Sequence, residues 1–140
     1  MAGTRVEALR TFPLFSGLSA RSLGRVAKAM KDVEARPGQV LVQPGTKGTG
    51  MFFITEGTAV VETKRVSREL GPGEFFGELA LMSNDATRTA RVRAKTSMRC
   101  LALDRSSFRR LVTEHPAVAA SLLEIAFSRL AENAGPAAAR

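Results

Sequence analysis

The chain has 140 residues, 44% hydrophobic and 24% charged, with 21 basic residues against 13 acidic ones and a formal charge of +8. That length suits one domain with its own core; no apolar run approaches the ~20 residues of a membrane-spanning helix, and the first ten residues lack the apolar region of a secretory signal. A single cysteine, Cys100, and a single histidine, His115, exclude an intrachain disulfide and a Cys₂His₂ or His₃ zinc site within one chain, and a lone thiol fits a reducing, cytoplasmic setting.

Residues 1–34 read as helical. Pro13 separates a short first helix from a second that Ser19 caps, with Leu23, Val26, Ala27, Met30 and Val33 at helical spacing. Residues 35–103 read as strands and turns. Glycines from Gly38 to Gly77 punctuate β-rich runs at Val40–Val42, Met51–Ile54 and Thr58–Thr63, and two more follow at Thr89–Thr96 and Met98–Leu103. Residues 104–134 turn helical again. Asp104 caps a helix carrying Phe108, Leu111 and Val112. Pro116 then opens another, where its missing N–H costs nothing, with Val118, Leu122, Ile125, Ala126, Arg129 and Leu130 at helical spacing. Residues 135–140 read as a frayed, flexible tail. Helices, then strands, then helices predict an α+β fold: a small antiparallel, jelly-roll-like β-barrel flanked by N-terminal and C-terminal helices, in one domain over 1–134.

Basic residues concentrate between Arg88 and Arg110, eight of them against the acid Asp104. Such a field attracts anions, whether nucleotide phosphates, nucleic acid or a membrane surface; the plainer reading is a solvated basic face. Alternation along Thr89–Thr96 points Ala90, Val92 and Ala94 inward and Arg91, Arg93 and Lys95 outward. Cys100 lies in the apolar run Met98–Leu103 and reads as a buried strand residue, not a nucleophile.

The chemistry concentrates between Gly71 and Val92. Gly71-Pro72-Gly73 predicts a tight turn, Phe75 and Phe76 are apolar anchors, and Gly77 allows backbone to approach a ligand closely. Glu78 to Met82 are helix formers enough for about one turn, whose first N–H groups lack partners and suit an anion. Ser83-Asn84-Asp85 ends the turn. Arg88 then offers two parallel N–H donors to a phosphate. Glu78 would repel a phosphate but accept from a hydroxyl such as a ribose 2′-OH. The ligand so implied carries one phosphate beside a free hydroxyl. The alternative is a barrel turn with an incidental Glu78–Arg88 ion pair.

Phe76-Gly77-Glu78-Leu79-Ala80-Leu81, followed by Arg88-Thr89-Ala90, resembles the phosphate-binding cassette of the cyclic nucleotide-binding domain family. Phe12-Pro13-Leu14-Phe15 with Leu18, Gly45 through Gly57, and Leu70 to Phe75 resemble the family's segments ahead of the cassette, which here covers 75–90. The resemblance implies that the backbone of Gly77, Leu79 and Ala80 approaches the cyclic phosphate and ribose. It implies that Glu78 accepts from the 2′-OH, that Arg88 pairs with the phosphate, that Thr89 bonds the phosphate or a syn guanine, and that Ala90 lines the pocket. It makes the last helix a lid over the purine, with Leu123, Phe127 and Leu130 as candidates. Departures from the family pattern fall at Thr87, Thr46, Thr49 and Arg91 and bear on base preference. The expected function is a regulatory sensor that binds cAMP in preference to cGMP and relays binding through its C-terminal helices. No reaction, metal or cofactor is expected, and any output domain lies outside these residues. Direct nucleic-acid binding is not expected. The competing readings are a ligand-free interaction module of the same fold and a fragment of a DNA-associated regulator.

Overall fold

The computed structural model of the chain describes residues 2–43, 50–64, 67–77 and 90–134. Helix α1 (Ala2–Arg10) leads through a 3-10 turn (Pro13–Phe15) to α2 (Ala20–Ala29). Eight strands follow: β1 (Lys31–Ala35), β2 (Val40–Val42), β3 (Gly50–Glu56), β4 (Ala59–Glu62), β5 (Ser67–Leu70), β6 (Phe75–Phe76), β7 (Arg91–Ala94) and β8 (Met98–Asp104). Helices α3 (Arg105–Glu114) and α4 (Pro116–Ala134) complete the described chain. The residues expected to form a frayed tail, 135–140, lie outside the described residues.

The helix ends follow local chemistry. The Ser19 hydroxyl accepts from the Ser22 amide at 3.1 Å, and the Asp104 carboxylate accepts from the Ser107 amide at 2.8 Å. Each side chain satisfies an amide that the first turn leaves without a helical partner. At the other end of α2, the Arg5 guanidinium donates to the carbonyls of Ala27 at 3.2 Å and Met30 at 2.8 Å, and it also pairs with Asp32. One side chain of α1 thus serves the C-terminal carbonyls of α2 and the start of β1.

The strands form two antiparallel four-stranded sheets, ordered β1-β8-β3-β6 and β2-β7-β4-β5. This is the double-sheet jelly roll. Among the described strands, hydrogen bonds do not join the two sheets into a ring, so the expected barrel is a sandwich. The first sheet is buried on both faces. Ile54, Met98 and Cys100 turn toward Val42, Val61 and Val92 of the second sheet. Phe53, Leu101 and Leu103 turn the other way, into a core with Phe12, Phe15, Leu23, Phe108 and Leu122. Burying a side chain of this size contributes about 1.5–3 kcal/mol.

Two expectations need correction. Residues 31–34, expected to end a helix, belong to β1, and Val33 pairs with Cys100. Met30 is already extended at φ −87°, ψ 152°. The seven-residue strand β8 needs a partner on that edge, and this tertiary pairing overrides the helical spacing of Met30 and Val33. Strands β5 and β6 were not anticipated: one is a mostly polar edge strand and the other has only two residues. Of the other expected runs, Val40–Val42 is β2 unchanged, Met51–Ile54 and Met98–Leu103 lengthen into β3 (Gly50–Glu56) and β8 (Met98–Asp104), and the remaining two shorten to β4 at Ala59–Glu62 and β7 at Arg91–Ala94.

Candidate functional site

Two consecutive phenylalanines set the approach to residues 78–89. Phe75 and Phe76 pair with Phe53 and Phe52 across the sheet. Successive strand residues face opposite ways, so each ring enters a different core. Phe76 stacks on Phe52 with centroids 5.0 Å apart, in the core between the sheets. Phe75 packs on Phe53 at 5.6 Å, in the core under the helices. The preceding Gly71-Pro72-Gly73 closes a tight turn as its composition predicts. The Glu74 amide donates to the Gly71 carbonyl at 3.1 Å, and Gly73 has φ +91°. Gly77 follows at φ +95°, a left-handed conformation that favours glycine.

On the far side of 78–89, Ala90 is buried in the core between the sheets, and β7 runs on between β2 and β4. The segment that carries the sequence motif therefore leaves one sheet at β6 and joins the other at β7. Of the candidate ligand residues, Gly77 and Ala90 are described. Glu78, Leu79, Ala80, Arg88 and Thr89 lie outside the described residues, as do Thr46, Thr49 and Thr87.

Helix α4 crosses next to this approach. Val118, Leu122 and Ala126 face the core. One turn on, Arg129 is only 9% exposed, and its guanidinium lies 4.6 Å from the centroid of the Phe75 ring. A cation over a ring face is attracted by the ring quadrupole, more strongly when both are desolvated. Arg129 thus ties α4 to the strand that leads into the motif. The sequence reading had not singled it out for a role. Its signal was its place on the buried stripe of α4, three residues after Ala126. The lid candidates Leu123 and Phe127 lie on the opposite face, 52% and 70% exposed; the Leu130 side chain lies outside the description.

The basic strand β7 has the expected alternation. Val92 and Ala94 are buried and Arg91 and Lys95 exposed, with Arg93 half-buried. Its cations are largely matched from within the molecule. Arg93 pairs with Glu62 at 3.1 Å, Lys95 pairs with Glu69, and Arg91 donates to Gln43 at 3.4 Å. Burial pushes the Cys100 thiol up to about 12, which keeps it protonated and unreactive at neutral pH. Among the described residues, no group of three or more His, Cys, Asp or Glu side chains could hold a metal ion. No described helix is long and apolar enough to cross a membrane.

Comparison with known proteins converges on this geometry. The family model of the cyclic nucleotide-binding domain matches residues 32–115. A cyclic nucleotide-gated potassium channel of Rhizobium etli is 37% identical over 123 residues, covering 88% of this chain and 34% of the channel. The chain spans about a third of the length of the curated relatives it matches. The cAMP-bound regulatory domain of Toxoplasma gondii protein kinase A superposes with a TM-score of 0.78 at 27% identity, over 91% of this chain and 50% of that one. A guanosine-bound regulatory subunit of a cAMP-independent protein kinase A from Trypanosoma cruzi superposes with a TM-score of 0.78 at 25% identity, over 89% and 46%.

Proposed function

This chain belongs to the cyclic nucleotide-binding domain family, and we propose that it is a non-catalytic sensor that binds cAMP in preference to cGMP and signals through α4. One observation carries the reading. The motif-bearing segment is suspended between β6 and β7 of different sheets, and its leading edge touches α4 through Phe75 and Arg129. In this reading Arg88 pairs with the cyclic phosphate and Glu78 accepts from the ribose 2′-OH. The backbone at Gly77, Leu79 and Ala80 lines the ribose and phosphate, with Thr89 on the phosphate and Ala90 behind it. Leu123, Phe127 or Leu130 closes over the base when α4 moves. The ligand is a signal and not a cofactor, and the output is made by protein outside these residues.

A nucleoside is the second reading, favoured by the guanosine-bound Trypanosoma cruzi relative. The residues of this chain argue against it, because Arg88 has no counter-charge to meet on a ligand without phosphate. Parallel calorimetric titrations with cAMP, cGMP, 2′-deoxy-cAMP and guanosine separate the readings. The sensor reading expects both cyclic nucleotides to bind, cAMP modestly tighter, and guanosine to bind at least tenfold more weakly, a difference of about 1.4 kcal/mol. A hydroxyl contact is worth only about 0.5–1.5 kcal/mol, so Thr89 cannot impose strong base selectivity, and Thr89→Ala should reduce cGMP affinity more than cAMP affinity. Glu78→Gln should narrow the gap between cAMP and 2′-deoxy-cAMP. Tighter binding of guanosine than of cAMP overturns the phosphate assignment, and no binding of any of the four leaves the ligand-free module.

A further inference from the structure

A helix on the surface of a domain ordinarily carries one apolar stripe, turned to the core, and a polar face opposite. Helix α4 carries two apolar stripes. The first packs inward through Val118, Leu122 and Ala126. The second points to solvent: Pro116 and Ala120 are exposed, as are Leu123 and Phe127. The only other exposed large hydrophobic among the described residues is Val40, on β2. From Pro116 the outward residues step by four, three and four, and the sequence keeps that step through Leu130 and Ala134. This is the 3.5-residue repeat of a two-helix seam, with Ala120 and Phe127 at a positions and Leu123 at d. The flanking e and g positions, Ala119, Glu124, Ala126, Ala131 and Asn133, hold a single charge.

We propose that this seam joins two copies of the chain, their α4 helices side by side and parallel. Charge favours a second copy in that orientation. In a parallel pair each Glu124 lies opposite Ala119 of the other copy, so no like charges meet, whereas an antiparallel pair brings the two Glu124 side chains together. A different protein's helix would be selected through charges on the flanks, and a membrane surface through cations beside the stripe; the flanks of this seam offer neither. Helix α4 is already held folded by its inner stripe, so association carries no cost of helix formation. At 19 residues, about 28 Å, the seam is short, which places the contact among weak interfaces of less than about 1,200 Å². The inference goes beyond the nucleotide reading. In the position α4 holds here, Leu123 and Phe127 face away from the buried stripe by which Arg129 meets Phe75.

Sedimentation equilibrium of the nucleotide-free chain over about 5–500 μM tests this. A monomer–dimer equilibrium is expected and nothing larger, because a two-fold contact closes on itself. It should strengthen with added salt, since each copy carries +8 and the contact is apolar. Leu123→Gln with Phe127→Gln should weaken it at least tenfold, about 1.4 kcal/mol; both positions are exposed, and thermal melting checks that the fold is kept. Ser121→Gln with Ser128→Gln changes exposed residues of α4 away from the seam and should leave association within about twofold. Ala119→Lys sets a cation opposite Glu124 of the second copy and should tighten the dimer by about two- to fivefold; weakening would overturn the parallel arrangement. A parent chain that stays monomeric throughout, or equal association of the two Gln double variants, overturns the proposal. If the seam variant loses cAMP affinity while its self-association is unchanged, the stripe belongs to the base and the dimer is likewise overturned. Loss of self-association supports the dimer whatever the cAMP affinity of the same variant, so the seam and the nucleotide site succeed or fail separately.

Discussion

Gly38 and Gly57 share a backbone conformation, both at φ +86°, but not their surroundings. A Cβ on Gly38 meets nothing within 4 Å. On Gly57 it falls 2.3 Å from the Ser97 carbonyl oxygen and 2.7 Å from the Met98 Cα. Alanine in the left-handed region costs about 1–2 kcal/mol, offset by about 0.4–1 kcal/mol of lost freedom in the unfolded chain. Gly38→Ala should therefore destabilise by about 1 kcal/mol. Gly57→Ala carries the same strain and must also displace backbone that is held in place. The Lys95 amide donates to the Thr58 carbonyl at 2.8 Å, and the Thr58 amide donates to the Thr96 hydroxyl at 3.0 Å. Overpacking adds about 1–3 kcal/mol, and each weakened hydrogen bond adds about 1 kcal/mol. The total is about 4–6 kcal/mol, a fall in Tm on the order of 12–24 °C for a domain of this size. Urea unfolding of both variants, with Tm from calorimetry, measures the difference. A Gly57→Ala variant within about 1 kcal/mol of Gly38→Ala would refute the argument, because strain alone would then account for both.

Arg88→Ala removes the cation assigned to the cyclic phosphate and should cost about 1.5–3 kcal/mol of binding; calorimetric affinity within about threefold of the parent would end that assignment. Asp104→Ala should cost about 1 kcal/mol of stability through the lost cap on α3. The Ser107 amide holds the Asp104 carboxyl below its ordinary value, so its contribution is present above the unfolded carboxylate pKa, about 3.9, and is lost as pH falls through the depressed folded value; an Asp104→Asn variant, measured by unfolding across acid pH, should lack this dependence. Burial raises the Cys100 thiol from 9.0 to about 12. Its contribution is full below the unfolded value and is lost as pH rises toward the folded one. The parent should therefore lose stability relative to Cys100→Ala across that window, and parallel pH–stability curves would contradict it.

What the sequence discloses tracks how local each determinant is. The caps at Ser19 and Asp104 and the alternation from Ala90 to Lys95 depend on neighbours within a few residues, and all were legible. Strand β1 was not, because Met30 and Val33 sit three apart, a spacing that suits a helix, and only the unpaired edge of β8 decides otherwise. Phe75 and Phe76 were legible as anchors but not as a strand, since two residues show no period and their partners lie more than twenty residues away on β3. The family resemblance was readable because it rests on residue types at fixed separations, Gly77-Glu78 and Arg88 among them. Arg129 was legible as a member of the helical stripe that runs on to Leu130, but not its role, because spacing does not say what a charged member of an apolar stripe touches. Its significance depends on a ring more than fifty residues earlier.

A sheet buried on both faces is not a platform to which helices are attached. Phe53 and Leu103 are within 1% of complete burial, and their cover comes from Leu9, Phe12 and Phe15 at one end of the chain and Leu122 near the other. Any displacement of α4 large enough to uncover that face exposes apolar surface at about 25 cal/mol per Å². Helix position and sheet stability are therefore a single thermodynamic variable. Whatever shifts α4 also shifts the melting of β3 and β8, and whatever loosens those strands changes where α4 rests.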